Sequence, residues 1–171
     1  MKNQDTSGNR VNKAYLALGS NLGDRLLNLE KAKFLLLNNN VKIYKSSKFY
    51  ETPSWPNPSF PKFINIVIQI ETNLKPQSLL NLIKTIERKL GRTSKKKNYP
   101  RTCDIDILDF NNKIFKRKNL IIPHTDLHKR NFVLIPFHEL TKDWKHPVFR
   151  KKIAELIMKL NYLQLMSIKQ I

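Results

Sequence analysis

The sequence predicts an α+β fold carried by a single antiparallel sheet. Three observations predict it. Apolar residues alternate between a period of two and a period near 3.6, in the order β-α-β-β-α-β. The second helix is opened by Pro76 and closed by Gly91, the preferred asymmetry for a helix. The single cysteine, Cys103, rules out an intrachain disulfide framework, so 171 residues must be held by a core of their own.

Each element has a local reason. Residues 1–12 are polar and are expected to be a disordered lead-in; residues 13–171 are expected to form a single domain. Ala14 to Leu18 is an apolar strand that runs into the turn Gly19-Ser20-Asn21-Leu22-Gly23. A helix follows, with Leu22, Leu26, Leu29, Ala32 and Leu36 on one stripe and Asn38-Asn39-Asn40 ending it. Val41 to Tyr50 reads as one strand. The segment from Thr52 to Pro61 carries Pro53, Pro56, Pro58 and Pro61, which forbid a helix or central strand. In Phe63 to Glu71, Ile64, Ile66, Ile68 and Ile70 share one face and Phe63, Asn65, Val67 and Gln69 the other.

The second helix has the stripe Leu79, Ile83, Ile86 and Leu90. A basic loop, Arg92 to Arg101, leads to a strand from Thr102 to about Phe110, a turn at Asn111-Asn112, and short apolar runs at Ile114-Phe115 and Leu120-Ile121-Ile122. Phe132 to Leu140 and Val148 to Leu165 read as helices. The order is that of a split βαβ, ferredoxin-like core with a C-terminal β/helical extension. It puts two helices on one face of the sheet and leaves the other for a ligand or for the C-terminal helices.

The sharpest chemical signal is Pro100-Arg101-Thr102-Cys103-Asp104-Ile105-Asp106-Ile107-Leu108. On a strand Asp104 and Asp106 project from one face, while Cys103, Ile105 and Ile107 pack on the other. Adjacent carboxylates repel unless a cation lies between them. Hard divalent ions accept such a pair together with phosphate oxygens. Arg101 and the basic loop beside the pair suit a polyphosphate. Asn65 shares that open face; its amide could read a planar heterocycle beside Phe63, Trp55 and Phe132. The bland alternatives are solvated aspartates, an exposed asparagine and ordinary core aromatics. The Gly19–Gly23 turn lacks Walker A and dinucleotide spacing, and no Cys/His cluster has zinc spacing.

Lys and Arg number 32 against 13 Asp and Glu, a net charge of +19. Such a balance favours polyanions. The excess is largely lysine, which reads as compositional drift rather than a built patch. An RNA-recognition sheet would share the strand order, but its aromatic-rich strand signature is missing and two aspartates stand in its place. With no apolar run near 20 residues and no secretory leader, the expectation is a cytoplasmic protein that binds neither a specific nucleic acid nor a membrane.

Taken together these residues resemble the 6-hydroxymethyl-7,8-dihydropterin pyrophosphokinase family. The carriers are Leu18 to Gly23, Phe49-Tyr50-Glu51-Thr52-Pro53, Phe63-Ile64-Asn65, Ile86-Glu87, Gly91-Arg92, Pro100 to Leu108, Pro123-His124 and Arg130-Asn131-Phe132. The resemblance implies transfer of a pyrophosphoryl group from ATP to the pterin hydroxymethyl oxygen, releasing AMP, in folate biosynthesis. It implies two Mg²⁺ ions on Asp104 and Asp106, with Arg92 and Arg101 as catalytic cations. Glu87, Arg92, Lys95, Arg101, Ile107, His124 and Arg130 would bind ATP. Thr52, Pro53, Trp55, Phe63, Asn65, Tyr99, Asp104 and Phe132 would frame the pterin, and the enzyme would act as a monomer. The chain departs from the family pattern at Ser94, Asn98, Asn119, Ile121 and Thr125. Its Arg92–Arg101 loop is short, so Tyr99 is expected to take the stacking role of the aromatic that Asn98 replaces.

Overall fold

A computed structural model describes residues 11–92 and 98–171. The main sheet takes its strands from β1 (Asn12–Ser20), β2 (Lys42–Ser46), β3 (Tyr50–Thr52), β4 (Phe63–Thr72), β5 (Asp104–Phe110) and β8 (Lys169–Gln170). Its spatial order is β5-β1-β4-β3-β8, with β2 also on β4, and every ladder is antiparallel. If β2 and β3 are taken as successive parts of one edge, this is the split βαβ order that the periodicity predicts. A separate hairpin joins β6 (Phe115–Arg117) to β7 (Leu120–Ile122). Strand β1 already contains Asn12, whose side chain donates to the Leu74 carbonyl and accepts from Asn111, so the lead-in does not extend to residue 12.

Helices α1 (Arg25–Leu37) and α2 (Pro76–Lys89) cover one face. The four isoleucines of β4 meet Leu16 and Leu18 of β1, Leu29 and Leu36 of α1, and Leu79, Ile83 and Ile86 of α2 in one buried cluster. Burying such side chains contributes about 1.5–3 kcal/mol each. Helix α1 starts later than its leucine stripe suggests. Asp24 caps it by accepting from the Leu27 N–H, so Leu22 falls outside the helix; Leu22 and, in the first turn, Leu26 are exposed.

The opposite face divides in two. Helix α3 (Asn131–Leu140), a 3₁₀ turn at Leu127–Lys129 and α4 (Ile153–Ile157) bury Tyr15, Val67 and Leu108 under Val133, Leu134, Phe137 and Leu156. The half nearer Gly19, Asn65 and Asp104 stays open. The long C-terminal helix expected from Val148 to Leu165 is instead α4 and α5 (Tyr162–Met166). The break has a cause: Leu160 turns into the core, and Asn161 caps a new helix by accepting from the Gln164 N–H. Among the described residues, no helix is long and apolar enough to cross a membrane.

Candidate active site

The open half of the sheet is built in rows across three strands. Gly19 of β1 lies opposite Asn65 of β4 on one side and Asp104 of β5 on the other. The next row on this face joins Val67, Ala17 and Asp106. The small residues of β1 form the floor between the amide and the carboxylates. A Cβ at Gly19 would sit 2.9 Å from Asn65 Oδ1 and 3.3 Å from the Phe63 ring. Above this floor is a cleft of about 570 Å³, counting its open mouth, which gathers Thr52, Pro53, Trp55, Phe63, Asn65, Asp104 and Phe132. Asn65 Nδ2 donates to Thr52 Oγ1 at 3.0 Å, which fixes the amide with Oδ1 above Gly19.

The carboxylates meet four basic side chains, two each. Asp104 accepts from Arg92 on one oxygen and, at 2.7 Å, from Arg101 on the other. Asp106 faces Arg130 at 3.4 Å and His124 Nε2 at 3.6 Å. His124 Nδ1 accepts from the Asp126 N–H, so the ring's other nitrogen is the one turned to Asp106. The two acids are driven apart electrostatically. Burial pushes both up, but Arg101 and Arg92 outweigh it at Asp104 and hold that carboxyl below the usual range. At Asp106, burial and the neighbouring Asp104 prevail over His124, Arg130 and Lys84 and raise it. Arg101 Nε and Arg130 Nε are buried without a hydrogen-bond partner. Buried donors left in this way mark where an acceptor is expected.

A second groove, about 730 Å³ with its open volume, runs past Leu80, Lys84, Ile107, Ile121, His124 and Thr125. Asp106 lines both cavities, so it stands at their junction. Ile107 is largely core and gives this groove only an edge.

Two expectations change. Glu87 is not a wall of the groove: it is buried within α2, accepting from the Ile105 N–H at 2.9 Å, from Lys84 and from Arg92. A carboxylate with that many donors is held inside, where it positions Arg92 and β5. Tyr99 does not line the cleft; its ring packs against Phe60, centroids 5.7 Å apart, and Asn98 lines the cleft in its place. Asn98 has φ +62°, a backbone state asparagine tolerates better than most residues, and Tyr99 follows this turn away from the cleft. Lys95 lies outside the described residues.

Sequence reasoning passed over two positions. Gly19, read as a turn residue, is cleft floor. Asn21 is a buried junction: its Oδ1 accepts from the Arg101 N–H, its N–H donates to the Arg101 carbonyl, and its Nδ2 donates to Ser54 and the Pro61 carbonyl. It ties the proline-rich loop to Arg101. Only its place in the Gly19–Gly23 turn, between glycines that no nucleotide motif explains, could have flagged it.

A cleft of this kind defines a class. Paired acids among basic side chains, beside an amide-and-aromatic pocket on an α+β sheet, are the parts that a phosphotransfer enzyme uses. Residues 15–142 match the family described as 7,8-dihydro-6-hydroxymethylpterin-pyrophosphokinase (HPPK), and the chain belongs to that family. It is 39% identical over 141 residues to the 2-amino-4-hydroxy-6-hydroxymethyldihydropteridine pyrophosphokinase of Aquifex aeolicus, covering 82% of this chain and 88% of that one. The Bacillus subtilis enzyme of the same name is 42% identical over 130 residues, 75% of this chain and 78% of its own. A folic acid synthesis protein of Dictyostelium discoideum is 38% identical over 94% of this chain but only 24% of its own length. In structure, Plasmodium falciparum HPPK-DHPS with pterin and p-hydroxybenzoate aligns with a TM-score of 0.74 at 18% identity. That alignment covers 97% of this chain and 48% of the other, so this chain spans about half the length of that one.

Proposed function

We propose that the cleft transfers pyrophosphate from ATP to the hydroxymethyl group of 6-hydroxymethyl-7,8-dihydropterin, as a step of folate biosynthesis, with Mg²⁺ on Asp104 and Asp106. The observation that carries this reading is the junction at Asp106, where the cleft and the groove meet beside arginines with unspent donors. The pterin belongs in the cleft. Asn65 Oδ1 accepts from its ring amide, the Thr52 hydroxyl remains free to donate, and Phe132 and Trp55 supply apolar surface. The nucleotide belongs in the groove of Ile107, His124 and Lys84.

The donor set fits a hard divalent ion. Asp104 and Asp106 offer oxygen ligands on one sheet face, and burial together with the neighbouring Asp104 holds Asp106 above the usual range, which a cation between the two would relieve. Bound there, Mg²⁺ supplies positive charge to the phosphates and to the attacking hydroxyl. The side chains do the rest. Arg92 and Arg101 occupy both oxygens of Asp104. A triphosphate offers them richer anionic partners, so their move to phosphate frees the carboxylate for its ligand role. Arg101, Arg130 and His124 then surround the transferred group, where arginine charge and preorganised hydrogen-bond donors lower the barrier most. The pterin oxygen bonds to the β-phosphorus as the bond from that phosphorus to the α–β bridging oxygen breaks, the hydroxyl proton passes to solvent, and AMP departs with the bridging oxygen.

The reading takes the enzyme to be a monomer, and its small polar substrates fit a cytoplasmic location. The test is AMP release from ATP and Mg²⁺ with and without the pterin. Pterin-dependent release that disappears in Asp106→Ala, with Tm preserved, is the expected result. Release that ignores the pterin, or an Asp106→Ala protein of ordinary turnover, overturns the reading.

A further inference from the structure

The family match ends at residue 142, yet the last residues of the chain brace both side walls of the pterin cleft. We propose that residues 164–171 are a strap that sets the spacing of those walls, and that Asn131 is the positioning residue anchoring it. This rests on the pterin reading of the cleft. At one end, the buried Asn131 donates through Nδ2 to the Gln164 carbonyl and to Ser167 Oγ, while its Oδ1 accepts from the Phe132 N–H at 2.8 Å. Gln164 Nε2 donates back to the Lys129 carbonyl at 3.2 Å. At the other end, Lys169 and Gln170 pair with Glu51 and Tyr50, and the Ile171 N–H donates to the Phe49 carbonyl at 3.0 Å. The strap ends one residue from Thr52 on one wall and one residue from Phe132 on the other.

Polar contacts dominate its anchoring, since Ile168 is the one apolar residue of the strap that is even half-buried. Helix α5 has no buried residue, and Leu163 and Met166 are exposed. The anchor bonds therefore decide whether the strap stays seated. Strand β3 is only Tyr50–Thr52 and lies at the edge of β4; β8 covers its second edge. Releasing Asn131 frees the path from α5 to β8 and loosens β3 along its outer edge.

The experiment uses the full chain with Asn131→Asp, which keeps the acceptor for Phe132 and removes the donor, and with Gln164→Ala. Leu160→Ala is the control, since it weakens the same C-terminal region through buried packing alone. Amide exchange is followed without ligand over residues 49–52 and 130–134, and pterin KM, kcat and ATP-analogue affinity are measured well below Tm. Both anchor variants should speed exchange in both segments and raise pterin KM three- to tenfold, with kcat and ATP-analogue affinity within twofold. Leu160→Ala should lower Tm without that KM change. Unchanged exchange in residues 49–52 in both anchor variants overturns the strap whether or not the pterin is turned over. So does a Leu160→Ala protein whose KM rises as much as theirs. Loss of pterin turnover in the unaltered protein would instead strike the functional reading, and the exchange result would still decide the strap.

Discussion

At the scale of single residues, position and protonation carry the site. Gly19 needs no special backbone angle; it is glycine because the space above it is the pocket. Gly19→Ala would put a methyl 2.9 Å from Asn65 Oδ1 and force the amide off Thr52. Pterin affinity should fall at least about tenfold, or about 1.4 kcal/mol, in a titration, with Tm little changed. Arg101 lies over the Phe63 ring at 5.5 Å while its terminal nitrogen holds Asp104. Arg101→Lys keeps the charge and loses the planar fork, so steady-state kcat should fall by at least about tenfold. A different residue governs pH. Asp109 is buried behind Trp144, and burial, offset only in part by the Asn112 N–H, pushes it up to about 6. A raised acid contributes stability below its unfolded value and loses it as pH rises through 6. Asp109→Asn should therefore be more stable than the unaltered protein at pH 7–8, by up to about 3 kcal/mol, with the gap closing by pH 4. Denaturant curves across that range check it, and a constant gap would mean that Asp109 does not titrate with folding.

At the scale of elements, what was legible in the sequence is what a face or a breaker dictates. The isoleucine face of β4, the stripe of α2 between Pro76 and Gly91, and the shared face of Asp104 and Asp106 follow from period and punctuation alone. What escaped depends on partners distant in sequence. The stretch Val41–Tyr50 has no internal signal for a break, yet it splits into β2 and β3. At the break Ser47 Oγ accepts from the Val67 N–H at 3.0 Å and donates to the Lys48 carbonyl at 2.8 Å. β5 likewise carries a bulge between its pairings with Tyr15 and Leu16, which turns both Leu108 and Asp109 toward the C-terminal helices. Tyr99 escaped because the direction of a loop residue follows its neighbours' backbone angles, which composition does not encode. The Ser47 break can be tested directly. Ser47→Ala leaves the buried Val67 N–H without its side-chain acceptor, at a cost of about 1–3 kcal/mol. Thermal unfolding should show a clear fall in Tm, whereas Ser59→Ala, at an exposed loop site, should not.

At the scale of the whole molecule, the charge of +19 and the small site pull toward different partners. The distribution of basic residues decides between them. Arg92, Arg101 and Arg130 all stand on the cleft carboxylates, and Arg25 pairs with Glu51. An RNA-binding sheet would present aromatics on an open face. Here half of that face is covered by α3 and α4, and the other half carries Asp104 and Asp106. Lysine charge without a built groove gives counterion-release binding only, with a dissociation constant in the region of 10⁻⁴–10⁻⁶ M at physiological salt. A labelled single-stranded RNA and a DNA duplex should each bind weakly, without sequence preference, and be lost as salt rises a few-fold above physiological. Neither should be displaced by the pterin, because the backbone phosphates would lie on the lysine-rich exterior and not in the cleft. Tight binding of one defined sequence at physiological salt, competed by the pterin, would place nucleic acid in the cleft and show that the charge is part of the site.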